Sequence, residues 1–248
     1  MATQACLVSW AWAQTNPYPT QPIVDSITLS LVSGSKSMCN SKDTLAVADK
    51  SEVTTNSAMF AVELDAQTQK KYLTVTNSSG GAEVKIGFES QPDGKKLLDA
   101  DPKIWTSLNL TPAEQQQVIK RYGKLMDVVR SLTNSVIGRP IAQGQSIEML
   151  KGNLCELAIG VPGKPKRSSY KVAGLTLINN RPTLVIEYEA EVQCQLKEAN
   201  IDFAMKGWTT FDVQSGLPAN KYDTGYVFLP GLGKMEMTSV QQCTVTSP

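Results

Sequence analysis

Histidine is absent from this 248-residue chain. With it go the commonest general base, the usual partner of a Ser or Cys nucleophile, and the commonest ligand of a catalytic zinc. Charge of one sign is lacking too. Lys and Arg number 24 against 23 Asp and Glu, and no long run of either stands out. That excludes the basic footprint of nucleic-acid binding and a strong patch for anionic membranes. No stretch past the leader approaches the ~18 consecutive apolar residues of a membrane-spanning helix. No Cys-x-x-Cys occurs, so the close spacing that zinc or thiol redox chemistry needs is missing. No cofactor is implied. Aromatics make up only 6% of the chain, and they gather late, at Tyr188, Phe203, Trp208, Phe211, Tyr222, Tyr226 and Phe228.

What is present begins with Ala5-Cys6-Leu7-Val8-Ser9-Trp10-Ala11-Trp12-Ala13, a short apolar run closed by Ala-Trp-Ala before Gln14. This small-x-small ending is the pattern cut by a secretory signal peptidase, and it predicts a signal peptide over residues 1–13. The n-region Met1–Gln4 carries no Lys or Arg, as a shortened start would produce. Thr3-Gln4-Ala5 before Cys6 does not match a lipoprotein signal. A periplasmic or secreted protein follows, in a compartment where thiols pair. Cys39, Cys155, Cys194 and Cys243 are widely separated and are expected to form up to two disulfides. Three connectivities are open to four cysteines.

Periodicity predicts an α+β protein, mainly antiparallel β, with a curved sheet packed against one long amphipathic helix. Residues 14–22, with three prolines, read as an extended and loosely held lead-in. Residues 23–248 read as a single β-rich domain, with a possible internal boundary near 92–102. Ile23–Ser33 alternates as a half-buried strand, and Ser33–Lys42 reads as a small-residue loop bearing Cys39. Met59–Leu64, Lys71–Thr76 and Glu83–Phe88 are strand-like, the last two joined by Asn77–Gly81 as a hairpin. Thr111-Pro112-Ala113-Glu114 is a capping box with Pro at the first helical position. Val118, Tyr122, Leu125, Met126, Val129 and Leu132 then recur at helical spacing, giving a helix over about 111–133. From Tyr170 to Val245 the chain reads as an antiparallel meander. Leu184, Ile186, Tyr188, Ala190, Val192 and Cys194 form one face of its longest strand, and Glu187, Glu189, Glu191 and Gln193 the other. One wet face marks an antiparallel sheet.

Within that meander Gly207-x-x-x-Phe211-Asp212, then x-x-x-Gly216-Leu217, resembles hairpins of bacterial envelope proteins of the lipoprotein-localisation half-barrel carrier type. The resemblance covers about a third of the chain. It implies a curved sheet wrapping a helix and a cavity for acyl chains or another apolar ligand. It transfers no individual functional residues.

The residues themselves suggest few sites. Glu187, Glu189 and Glu191 project from one side of a strand, neighbours ~7 Å apart, a spacing compatible with acid–base work or Ca²⁺. A solvated strand face explains them as well, because Gln193 and Lys197 continue the polar row. Ser168-Ser169-Tyr170-Lys171 carries a Ser-x-x-Lys, but it enters a strand rather than a helix. Lys164–Arg167 reads as a solvated loop. Ile159–Lys164 has the wrong glycine spacing for a phosphate loop. Met205, Phe211 and Met235, with Tyr122 and Met126 of the helix, are the candidate lining of an apolar pocket, because the flexible Met thioether repacks around varied shapes. Trp208 breaks the apolar alternation, on the Asp202/Lys206 face, and is the candidate exposed contact residue. The reading is a non-enzymatic exported protein that binds a lipid or other apolar small molecule between sheet and helix. The alternatives are an envelope interaction or structural module with a solid core and, third, a carboxylate-dependent hydrolase.

Overall fold

The computed structural model describes residues 16–67, 69–79, 82–90, 103–106, 111–114, 135–147, 155, 161–196, 200–229 and 233–248. The expected leader at 1–13, the boundary near 92–102, and Tyr122 and Met126 lie outside them. Ten strands form one sheet: β2 (Lys36–Val47), β3 (Lys50–Leu64), β4 (Lys71–Ser79), β5 (Ala82–Ser90), β6 (Lys103–Thr106), β8 (Gly163–Ile178), β9 (Arg181–Gln195), β10 (Asn200–Asp212), β11 (Pro218–Leu229) and β12 (Gly233–Thr246). Two short strands, β1 (Ile27–Thr28) and β7 (Pro140–Ile141), pair with each other.

The large sheet runs β6-β5-β4-β3-β2-β12-β11-β10-β9-β8, with antiparallel neighbours throughout. It is therefore two meanders that grow in opposite directions and meet where β2 pairs β12. That seam runs from Lys36↔Thr246 to Val47↔Met235. The sheet curls into a half-barrel. Its turns follow from local chemistry. Asn179 and Asn180, at φ 51° and 61°, join β8 to β9, since Asn tolerates the left-handed region a two-residue hairpin requires.

The α+β expectation is corrected. Among the described residues strand accounts for 69% and helix for 4%, with no helix of seven or more residues; the architecture is almost entirely antiparallel β. The capping box does form: the Thr111 amide donates to Glu114 Oε2 at 2.8 Å, and Thr111 Oγ1 accepts from the Glu114 amide at 3.4 Å. Pro112–Glu114 is helical, and residues 115–133 of the expected helix lie outside the described residues. Among the described residues, the chain over the apolar side of the sheet is almost all outside helix, Ser135–Val136 excepted. Ile23, Leu29 and Leu31 from one segment, with Val136, Ile137, Ile141 and Ile147 from another, pack against Tyr170, Val172, Leu184, Ile186, Tyr188 and Phe211 of the sheet and Leu217 of the β10–β11 turn. Of Ile23–Ser33, read as a strand, Ile27–Thr28 pairs with β7 and Leu29 makes a single bridge to Ile137; its apolar residues serve as a cover more than as a ladder.

Three further expectations change. The loop expected at Ser33–Lys42 is mostly strand β2, whose Ser37 and Cys39 are buried beside Pro218 and the core. Hydroxyl and charged side chains hid a central strand. Lys164–Arg167, read as a loop, belongs to the exposed start of β8. The lead-in is held firmly. Gln21 and Leu175 exchange backbone hydrogen bonds of 2.7 and 2.9 Å at the outer edge of β8. Gly174, at φ +139°, sits at a bulge there, and a Cβ on it would lie 2.5 Å from the Gln21 carbonyl. Residues 16–23 thereby cross the edge strand from one face of the sheet to the other. Residues 144–147 bond the same edge at Tyr170 and Val172, so the Tyr170–Leu175 part of β8 is closed to a foreign strand.

Candidate functional site

The register defines two faces. On the core face, β9–β10–β11–β12 place Val192, Phe203, Val227 and Met235 in one row and Ala190, Met205, Gly225 and Met237 in the next. Cys155, Ala190, Val192, Cys194, Ile201, Phe203 and Val227 are buried together, and Val161, Met205, Met235 and Met237 pack against them partly buried. The structure thus brings Met205 and Met235 together and adds Met237. Phe211 is placed elsewhere. It is 0% exposed in the larger core cluster, so it fills the interior and does not line the methionine patch.

Next along the core face the side chains turn polar. Asp223 stands opposite Gly207 on β10 and Ser239 on β12, Lys221 opposite Thr209 and Gln241, and Asp43 opposite Ser239. Lys221 Nζ bonds Asp223 Oδ2, with the Lys side chain 40% and the Asp side chain 10% exposed. Asn56 Nδ2 donates to Asp43 Oδ2 at 3.2 Å. Asp223 Oδ1 is buried with no hydrogen-bond partner. Burial, then the charge of Asp43, pushes the Asp223 carboxyl well above the usual carboxylate range. Burial pulls the Lys221 ammonium down, against the opposing pull of Asp43. Tyr170 and Tyr188 stack at 5.5 Å on the same face. The Tyr170 phenol is pushed up to about 12 by burial and by Asp223. Sequence reasoning missed this cluster, because Lys221 and Asp223 alternate in a strand as any solvated pair would. Only the two methionine rows beside them show that they point toward the core.

The other face carries Trp208, and here the exposed-contact expectation is corrected. Trp208 lies on the anticipated face, between Glu187 and Tyr222 in register, yet it is only 7% exposed. Tyr18 of the lead-in covers it edge-on at 5.2 Å, and Tyr222 stacks on it at 6.2 Å. The Tyr18 hydroxyl accepts from Asn220 Nδ2 at 2.8 Å. Beside this trio a groove of about 620 Å³ runs between Asn16–Thr20 and the Glu187, Glu189, Lys171 and Lys206 row. Glu187 and Glu189 are exposed, and Arg167 pairs Glu189 at 2.7 Å.

Both disulfides are present. Cys39–Cys243 bridges directly opposed residues of the β2–β12 seam, with a Cα separation of 4.0 Å, and Cys155–Cys194 ties residue 155 to the end of β9. Among the described residues no group of three or more acidic, Cys or His side chains is placed to hold a metal ion, and no helix is long and apolar enough to cross a membrane. No protein-family model and no curated protein matches the chain. A DUF1329 family protein from Desulfovibrio piger, solved as a crystal structure, is similar at 12% identity over 85% of this chain and 84% of its own, with a TM-score of 0.23.

Proposed function

We propose that this is a non-enzymatic, exported binding protein that holds an apolar small molecule on the core face of its half-barrel, at Met205, Met235 and Met237. The observation that carries the reading is the partial burial of all three methionines against the buried Phe203–Val227 cluster. Unbranched thioether side chains left partly uncovered beside a packed apolar floor form an adaptable surface for apolar ligands. Export is supported by the two disulfides, which persist in oxidising compartments.

The test is titration of the oxidised, full-length protein with N-phenyl-1-naphthylamine, whose emission rises in apolar surroundings. Saturable binding is expected, weakened about tenfold by Met205→Gln, a polar group in an apolar contact costing on the order of 1–2 kcal/mol. Absence of saturable binding by protein shown to be folded overturns the reading.

A further inference from the structure

Asp223 is anomalous among the charged residues. It is 7% exposed, its Oδ2 is taken by Lys221, and its Oδ1 has no partner among the described residues. A buried acceptor left unsatisfied costs about 1–3 kcal/mol, so its place in the sheet calls for a donor from outside.

A glycine on the neighbouring strand lets the carboxylate sit this deep. Gly207 faces Asp223 across the β10–β11 pair, and a Cβ there would sit 2.9 Å from Oδ1 and 2.0 Å from the Tyr222 carbonyl. Gly225 is the next residue of β11 on the core face, opposite Met205 and Met237. Inward-facing positions along a strand are ~7 Å apart, so the row of Gly207 and Asp223 adjoins that of Met205, Gly225 and Met237. Carboxylate and thioethers therefore lie in adjacent rows of one face. The charges select the kind of group that fits. Asp223 and Asp43 face one Lys221 ammonium, already paired, while the Asn56 amide is committed to Asp43. An anionic head would meet a surplus of negative charge and would have to displace an existing ion pair. A neutral or cationic donor would satisfy Oδ1 directly.

We infer that Asp223, flanked by Lys221 and Asp43, binds the amino or hydroxyl head of an amphiphile whose chain lies on Met205, Met235 and Met237. This rests on the apolar-ligand reading above, and the experiment separates the two. Decylamine, 1-decanol and decanoate compete against bound N-phenyl-1-naphthylamine at pH 7, with wild type, Asp223→Asn and Asp43→Asn. Decylamine and decanol are expected to displace the probe at concentrations at least tenfold below decanoate. Asp223→Asn should bring the three within about threefold while the probe still binds. Asp43→Asn, which leaves the Lys221 pair intact, should reduce the amine-over-carboxylate ratio at least threefold and serves if Asp223→Asn does not fold. Decanoate competing as well as the amine, or a ratio unchanged in Asp43→Asn, overturns this inference and leaves the apolar reading standing. Loss of probe binding by folded wild type overturns the apolar reading itself.

Discussion

Asp212 shows how one side chain organises a turn. It is 1% exposed, accepts from Arg181 Nε at 2.7 Å and Nη2 at 2.9 Å, and accepts from the Ser215 amide and hydroxyl at 2.7 and 2.6 Å. Burial alone would raise its carboxyl, but the bonds from Arg181 and Ser215 outweigh it and hold the group below the usual range. A depressed folded value stabilises the protein above the unfolded value, near ~4, and that contribution is lost as pH falls through the folded one. Asp212→Ala should cost about 3 kcal/mol at pH 7, because it strands a partly buried guanidinium. Urea denaturation of both proteins should show the gap narrowing below about pH 4. The Lys221–Asp223 pair behaves oppositely. Its folded carboxyl is raised and its ammonium lowered, so keeping both ionised near neutrality works against folding. Replacing both at once, as Lys221→Met with Asp223→Leu, should raise the urea midpoint by the equivalent of about 1 kcal/mol while abolishing any preference among ligand heads. A residue pair retained against stability is what a binding role would produce.

Among the elements, the β2–β12 seam and the lead-in strap do most to define the molecule. Cys39–Cys243 closes a loop of sequence separation 204, Cys155–Cys194 one of 39. In the chain-entropy view the longer loop loses more freedom in the unfolded state, roughly 5 against 4 kcal/mol. Cys39→Ser with Cys243→Ser should therefore lower the thermal midpoint more than Cys155→Ser with Cys194→Ser, as differential scanning calorimetry can read. The strap makes a separate prediction. Tyr18→Ala removes the edge contact on Trp208, worth about 1 kcal/mol, and uncovers the indole. Red-shifted tryptophan emission and faster acrylamide quenching should follow. Unchanged quenching would mean that Tyr18 does not shield it.

For the whole molecule, the stability rests on one continuous sheet whose apolar face is covered by chain segments distant in sequence. Long-range antiparallel pairing of β2 with β12 requires the two ends of the chain to meet late, which predicts slow folding. The core face is not uniformly apolar. Two hydrophobic clusters lie on either side of the polar Lys221–Asp223 row, so apolar and polar side chains share one surface. The outer face, with Glu187 and Glu189 beside Lys171 and Lys206, is balanced in charge and open to solvent.

Alternation along β9 and the Thr111 capping box were legible in the sequence, because each is set by residues a few positions apart. The wet face bearing Glu187 and Glu189 was legible for the same reason, and the four cysteines from their number and wide spacing. Strand β2 was not, since Ser37 and Cys39 gain their burial from Pro218 and β12, far along the chain. Nor was the fate of Trp208, which sits on the expected face but is capped by Tyr18 through a contact that no local pattern records. Composition and short-range periodicity determined which faces are apolar and where the chain turns. The tertiary structure alone decided which cysteines meet, what covers each face, and that Asp223 is buried with an acceptor to spare, because those are outcomes of long-range pairing between strands.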